Sequence, residues 1–323
     1  MVDLSTTLQL VEIVSYCSMF LVGGVGNILV IIFFAFKSKN KELTSYHFII
    51  AQLAVSDLIV CVGIPPVIFQ FIIGTWYTGE LMCKAISIPW AGVTASCWIL
   101  CGLAYDRYRR IKDPMAENFS KKKITLVCLI VWSILFLVAI PQFTNTKYYP
   151  ENQICYFDAF KSYSPEFAIV YYTFYFMANA VIPLTIFLIV YFKSRNILSS
   201  SVNMGGQTGE AITARNKKAL KTLKMLIILY TVCVVPGSLW GLLYSLLGHF
   251  LPWFYEFTST DAGMMVYFCY HFCICFNNVA NFFIYMGRIP EFRKFLARPF
   301  QKCYRRRSNA STEPKPNVAT TAL

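Results

Sequence analysis

The chain has 323 residues, of which 57% are hydrophobic and only 14% charged, and it carries a net charge of +13. Soluble proteins put charge on roughly a quarter of their residues, so a water-soluble globular chain is excluded and a polytopic membrane protein of one domain is expected. Nucleic-acid binding is also disfavoured, because the excess Lys and Arg sit in alternate loops between apolar stretches, where membrane topology and lipid attraction account for them.

In chain order, the first ten residues are a short leading segment with no basic n-region and no A-x-A-like cleavage site after it, so the first span is expected to act as its own insertion signal. Seven apolar stretches follow, at 11–36, 46–73, 81–106, 124–141, 166–192, 222–247 and 262–286. Each is long enough to cross a bilayer, and each must be a helix, since open strands would leave backbone groups unpaired in lipid. The predicted fold is an all-α seven-transmembrane helix bundle over 11–300. Its last part, 288–300 (RIPEFRKFLARPF), is short, basic and amphipathic, with Phe292, Phe295 and Leu296 on one face, as expected of a helix lying on the membrane surface. The segment 301–323 is a polar tail read as disordered, and the Ser/Gly-rich loop 199–213 is read as flexible.

Orientation follows from the Lys and Arg of the short loops. Segments 37–45, 107–123, 193–224 and the tail from 287 hold three, seven, seven and nine, whereas 1–10, 74–80 and 248–261 hold none and 142–165 holds only Lys147 and Lys161. The expected topology is a multi-pass plasma-membrane protein with its N-terminus outside and its tail in the cytoplasm. Twelve cysteines are present, most within apolar segments where they behave as small hydrophobes. Cys83 and Cys155 alone fall on the side placed outside, and two thiols there can form one disulfide.

Polar groups inside the spans stand out against this background. Asn27 follows Gly23, Gly24 and Gly26, small residues that let helices approach. Asp57 is the one carboxylate deep in a span, and a bare anion there must be protonated, hydrogen-bonded or paired. Ser96, Asn277, Asn278 and Asn281 are its candidate partners, either in a structural network or in an ion or proton site. Prolines 65, 66, 89, 141, 183 and 236 interrupt helix hydrogen bonding, and Pro236 is expected to move, because its helix continues into a long basic end. Span three closes at Asp106-Arg107-Tyr108, followed by Arg109, Arg110 and Lys112. This is either a stop-transfer anchor or an arginine restrained at the inner mouth of a bundle and freed when the bundle opens.

Taken in order, one motif per span, these features resemble the rhodopsin-like (class A) G-protein-coupled receptors, over about residues 11–300. The resemblance rests on Gly26-Asn27; Leu53-Ala54-Val55-Ser56-Asp57; Trp76 and Gly79 ahead of Cys83; Asp106-Arg107-Tyr108; Trp132; Cys155; Pro183 with Tyr191; Cys233 with Pro236; and Asn281 with Tyr285, followed by Phe292. It implies a Cys83–Cys155 disulfide and a receptor that passes the binding of an extracellular ligand to a heterotrimeric G protein. Arg107, released from Asp106, would contact the G protein with support from Tyr191 and Tyr285. A sodium site at Asp57, Ser96, Asn277 and Asn281, completed by the polar Asn27, is a further expectation, and Cys303 is a candidate for palmitoylation. Lys217, Lys218 and Lys221 either line the inner cavity or form a solvated face.

The chain also departs from the family pattern. Phe282 stands where the family has the proline of span seven, Val234 where it has a tryptophan before Pro236, and the run 215–224 holds no carboxylate to pair with Arg107. Raised basal signalling is expected from that last absence. Cys275 occupies the place of a retinal-linking lysine, so no retinal cofactor is expected, and the lack of an aspartate near Pro89 disfavours biogenic amines. The outer half is aromatic, with Phe69, Trp76, Trp90, Tyr171, Tyr175, Trp240, Tyr244, Tyr267, Tyr270 and His271. Glu80, Glu151, Asp158, Glu256 and Asp261 are placed to attract a basic peptide, and 248–261 is expected to form part of the rim. A neuropeptide is the leading ligand class and a lipid-like ligand the second. A transporter or channel is the competing class, a membrane enzyme finds no clustered His, Asp or Cys set, and a receptor that binds ligand but couples weakly is the remaining alternative.

Overall fold

The computed structural model describes residues 4–39, 44–66, 75–76, 78–113, 115–117, 119–157, 164–201, 207–258 and 260–298. Among the described residues, six helices are long and apolar enough to cross a membrane: Thr7–Ser38, Ser45–Pro66, Gly79–Lys112, Lys122–Asn145, Pro165–Ser200 and Asn216–Gly248. A seventh helix, Asp261–Arg288, has 28 residues, about 42 Å at 1.5 Å per residue. It is less apolar because it carries His271, Asn277, Asn278 and Asn281. All three asparagines are buried among protein atoms, so its polarity does not meet lipid.

The helices run longer than the apolar stretches that announced them. Span four extends over Lys121–Asn145, with Ser120 as N-cap accepting from the Lys123 N–H. Span six begins at Gln207, so the reading of 199–213 as a flexible loop is corrected. Residues 199–201 continue span five and 207–213 belong to the helix of span six, while 202–206 lie outside the described residues. The sequence Ala-Arg-Asn-Lys-Lys-Ala-Leu-Lys after Thr213 is rich in strong helix formers, which carry the helix beyond its apolar part. Span two is helical over Ser45–Val62 with Gly63 as C-cap, and residues 67–73 of the predicted stretch lie outside the described residues.

The prolines leave distinct marks. Pro89 sits in the first turn of Ser87–Lys112, where amides have no helical acceptor and the ring costs little. Pro183 has a larger effect. It denies a donor to the carbonyl of Asn179, four residues earlier, and a π turn at Met177–Val181 takes up the distortion. The Tyr230 hydroxyl of span six donates to that Asn179 carbonyl, and its ring meets Phe187 edge-on at 5.0 Å. Span six is irregular at Val234, between Gln207–Cys233 and Val235–Phe250, which carries Pro236 in its first turn, but the Val234 amide still donates to Tyr230 O at 2.8 Å and the Ser238 amide to Val234 O at 3.0 Å, so the helix runs through.

Span three is the hub. It packs against spans two, four and five, while span two also packs on span one and span five on span six. Its most apolar stretch is 67% buried against 11% for span four, so span three is core and span four faces outward. Close approach relies on glycine: a Cβ on Gly26 would lie 2.7 Å from Phe282 Cγ, and one on Gly23 2.7 Å from Cys61 Sγ and 2.8 Å from Val279 Cγ2. Spans one, two and seven therefore meet at small residues, as helices in lipid do.

Between spans four and five, where the sequence predicts a loop, Thr146–Tyr149 (β1) and Ile154–Phe157 (β2) form an antiparallel hairpin pairing Tyr148 with Cys155. The Cys83–Cys155 disulfide ties β2 to the start of span three, and the Trp76 amide donates to Gln153 O at 2.5 Å. The segment 248–261 contains a short helix, Pro252–Thr258.

The chain divides into two compact units, Met1–Phe282 and Phe283–Leu323. In the second, residues 290–298 are helical, the Ile289 amide donates to Tyr285 O at 2.8 Å, and Phe292 stacks on Phe295 with centroids 6.5 Å apart. Cys303 and the tail lie outside the described residues.

Gly26→Leu is expected to force Phe282 from its seat and destabilise the purified protein by about 1–3 kcal/mol. Gly24→Ala, inside the Leu4–Lys39 helix where a Cβ meets nothing within 4 Å, should keep or slightly raise the melting temperature, since alanine is the better helix former; thermal melts of the two variants in detergent check this.

Candidate functional site

Two polar constellations and one aromatic cluster occupy the first unit. Asp57 is fully buried. Its Oδ1 accepts from Ser96 Oγ at 2.6 Å and its Oδ2 from Asn281 Nδ2 at 2.9 Å. Ser96 Oγ also lies 2.8 Å from Ser56 Oγ and 3.3 Å from Asn278 Oδ1. Asn27 Nδ2 donates to the carbonyl oxygens of Gly23 at 3.0 Å and Asn278 at 3.3 Å. One carboxylate thus binds spans two, three and seven, and Asn278 carries the network on to span one.

The set differs from the expected one at a single position: Asn278, not Asn277, reaches Ser96. Asn277 is buried but makes none of these contacts. Residues three and four apart share a helix face, so both asparagines suited Asn281 by spacing alone, and only packing decides between them.

The cluster is rich in oxygen and poor in protons. Ser96 has one hydroxyl proton and three oxygen neighbours, and the Oδ1 atoms of Asn27 and Asn281 are buried without a hydrogen-bond partner among the described residues. A carboxylate, hydroxyls and amide oxygens are the donor set of a small hard cation, so the residues present fit sodium.

At the end of span three, Asp106 is fully buried, and the expected pairing with Arg107 is corrected. Asp106 Oδ1 accepts from Ser45 Oγ at 3.0 Å and Oδ2 from Arg110 Nε at 3.3 Å, while Arg110 Nη2 reaches Ser45 Oγ at 3.0 Å. The Arg107 guanidinium instead lies over the Tyr46 ring, 3.2 Å from its centroid. Adjacent residues on a helix point about 100° apart, and the acid's natural partner is the arginine one turn on. That spacing was available in the sequence for Arg110; the stacking on Tyr46 had no sequence signal.

Arg109 stacks on Phe119 at 3.9 Å and donates to Glu117 O. Tyr108 is half-buried beside Tyr105, and Tyr191 packs on Phe192 at 5.5 Å. Pro236 follows the irregularity at Val234 and is exposed, and Lys217, Lys218 and Lys221 are exposed as well, a solvated face in this conformation. Tyr285 belongs to the second unit. No break accompanies the missing span-seven proline, for the helix continues from Asp261 to Arg288.

Toward the disulfide end, His271 organises the aromatic residues. Its Nδ1 lies 2.7 Å from Tyr16 Oη, its ring stacks on Tyr267 at 5.8 Å, and Trp90 is 6.0 Å away. Trp240 joins through Tyr270 at 6.2 Å and Phe254 at 5.8 Å, and Tyr244 meets Phe254 at 6.3 Å. Two narrow clefts share Trp90. One of about 30 Å³ is lined by Val60, Pro89, His271 and Ile274, the other by Thr94, Gln142, Tyr171 and Tyr175. The first holds about two waters, so a larger ligand must part its walls.

Sequence reading missed Tyr16 and Phe254. A tyrosine within an apolar span signals a hydroxyl in need of a partner, which could have marked Tyr16. Trp76 is core rather than ligand contact, since it is buried against the disulfide and its Nε1 donates to Gly79 O at 2.9 Å. Glu80 is bonded to Lys84 at 2.5 Å, and Glu151 and Glu256 are exposed. Phe69, Asp158 and the side chain of Asp261 lie outside what is described.

Seven helices built on a central third span, with a buried carboxylate network and an arginine at the end opposite the disulfide, make up a transmembrane receptor core. The chain belongs to the 7 transmembrane receptor (rhodopsin family), whose family model matches residues 26–285. It is 28% identical over 247 residues to the "QRFP-like peptide receptor" of Branchiostoma floridae, covering 72% of this chain and 64% of that one. With the "Neuropeptide Y receptor type 2" of Macaca mulatta it shares 26% over 307 residues, 91% of this chain and 77% of the relative. The human protein of that name matches at 28% over 242 residues, 71% and 61% of the two chains. A membrane transporter or channel, the competing class, is not favoured by these relatives.

Asn278→Ala removes the side-chain link to Ser96 and leaves the backbone carbonyl that accepts from Asn27 in span one. A loss of about 1–2 kcal/mol is expected, read as a lower melting temperature of the purified protein.

Proposed function

We propose that this chain carries the binding of an extracellular peptide to a heterotrimeric G protein across the plasma membrane. The observation that carries the reading is membership of the rhodopsin family together with an arginine placed at the basic end of span three, opposite the disulfide-bonded end. The Lys and Arg asymmetry of the loops supports an inner position for Arg107 and an outer one for the Cys83–Cys155 hairpin. The relatives named as peptide receptors support a peptide over a lipid-like ligand, and the absence of a lysine at Cys275 fits a receptor without retinal.

A ligand shifts such a protein only by its differential affinity for two states. The narrow clefts around His271 and Trp90 suit this description: a peptide side chain entering between spans three and seven widens them, and the wider form binds it better. Those spans are joined lower down by Asp57, Ser96, Asn278 and Asn281, so separation at the top bears on this network before it reaches Arg107. Span six carries Pro236, which has no N–H to give its own helix, and that weakness lowers the backbone cost of swinging.

Sodium at Asp57 supplies the counter-charge that a buried carboxylate needs. If it binds there, sodium chloride raises the melting temperature of the wild type above that in N-methylglucamine chloride, and Asp57→Asn abolishes the difference.

Arg107→Ala is the test of coupling. Nucleotide exchange on purified heterotrimers, driven by hits from a peptide library, is expected to fall at least tenfold while peptide binding persists. Peptide binding by the wild type with no exchange would leave a receptor that binds ligand without working coupling.

A further inference from the structure

We propose that Tyr46 is a positioning residue for Arg107: its ring holds the guanidinium in the closed state and takes the place of an acid on span six. The inference rests on the receptor reading, in which Arg107 must be withheld until the bundle opens.

The first turn of span two is built for this task. Thr44 caps it with a reciprocal pair, its Oγ1 accepting from the His47 amide at 3.4 Å and its own amide donating to His47 Nδ1 at 3.5 Å. His47 in turn packs on Phe34 of span one, with centroids 5.3 Å apart. With the turn fixed, Ser45 and Tyr46 address two consecutive residues of span three. Ser45 Oγ bonds Asp106, and the Tyr46 ring lies under Arg107 at 3.2 Å. The acid is thereby committed to Ser45 and Arg110, and the arginine that it would otherwise neutralise is held by an aromatic face.

A guanidinium sheltered from water over a tyrosine face is attracted by the ring quadrupole, and Arg is weakly enough hydrated to accept such a seat. The hold is softer than a buried ion pair and leaves no carboxylate stranded when it lets go, so release costs no uncompensated charge. The run Arg215–Lys224 offers no acid of its own. Glu210 lies farther out on the same helix, and its side chain is outside the described residues. The basal activity expected from the missing acid is therefore restrained from span two.

The test uses the full chain in two settings. In cells, ligand-free G-protein activation is measured per receptor at the surface. In lipid nanodiscs without ligand, the distance between spin labels on noncanonical residues at 112 and 218 reports the separation of spans three and six. Tyr46→Leu and Tyr46→Ala are expected to raise basal activation and the open population roughly fivefold or more, and Tyr46→Phe restores wild-type values. Adding Arg107→Ala to Tyr46→Ala should remove the excess activation.

An unchanged distance distribution in Tyr46→Leu overturns the proposal. So does a Tyr46→Phe variant as open as Tyr46→Leu, since the hydroxyl and not the ring would then hold the arginine, or an increase confined to Glu210→Gln. Distances that shift with no exchange in any variant would sink the G-protein reading and leave the Tyr46 lock standing. Peptide-driven exchange with unshifted Tyr46→Leu distances would do the reverse.

Discussion

A carboxylate buried out of reach of water must find its partners before any helix around it can settle. Asp57 meets that demand with one donor to each oxygen, Ser96 from span three and Asn281 from span seven. Each of those helices is thereby fixed in rotation as well as in position, because the donors must face inward at one depth. Asn278 and Asn27 extend the same requirement to span one. Dispersion between apolar helices gives little directional preference in lipid; hydrogen bonds to a buried acid give a great deal.

The close-packed seams follow from this. Where spans one, two and seven converge on the network, Gly23 and Gly26 bring the backbones within reach. Where the chain departs from regular helix, it does so in a way that leaves a polar group for a neighbour. Pro183 strips the Asn179 carbonyl of its helical donor, and Tyr230 supplies one from span six. The second such junction, at the end of span three, divides an acid from an arginine and hands each to a different residue of span two. The same logic, a buried polar group assigned to a specified partner, recurs from one end of the bundle to the other.

Much of this was legible in the sequence because lipid imposes strict rules. Apolar stretches long enough to cross, basic charge concentrated in alternate loops and a carboxylate deep in span two required little more than length and cost arguments. Helix ends were less legible, since the polar extension 207–221 has no apolar signal and owes its helicity to propensity. Partner choice within a helix face was less legible still. Asn277 and Asn278 both lie within one turn of Asn281, and Asp106 had two arginines in range. The aromatic seat of Arg107 left no trace, because stacking depends on the angle between two helices and not on spacing along either one. The β1–β2 hairpin escaped notice for a related reason: its four-residue strands are too short to show alternation.

Span four presents Leu126, Val127, Leu129, Ile130, Ile134, Phe136 and Leu137 outward, while nearly every residue of span three from Ala91 to Ala104 has protein around it. Mutational drift is therefore divided unequally between two neighbouring helices. The outer one can trade its exposed aliphatic residues for others, provided the bilayer accepts them, with the buried Ile124 and Leu135 held to volume. The inner one is constrained at almost every site by volume, and its history should be readable as stasis.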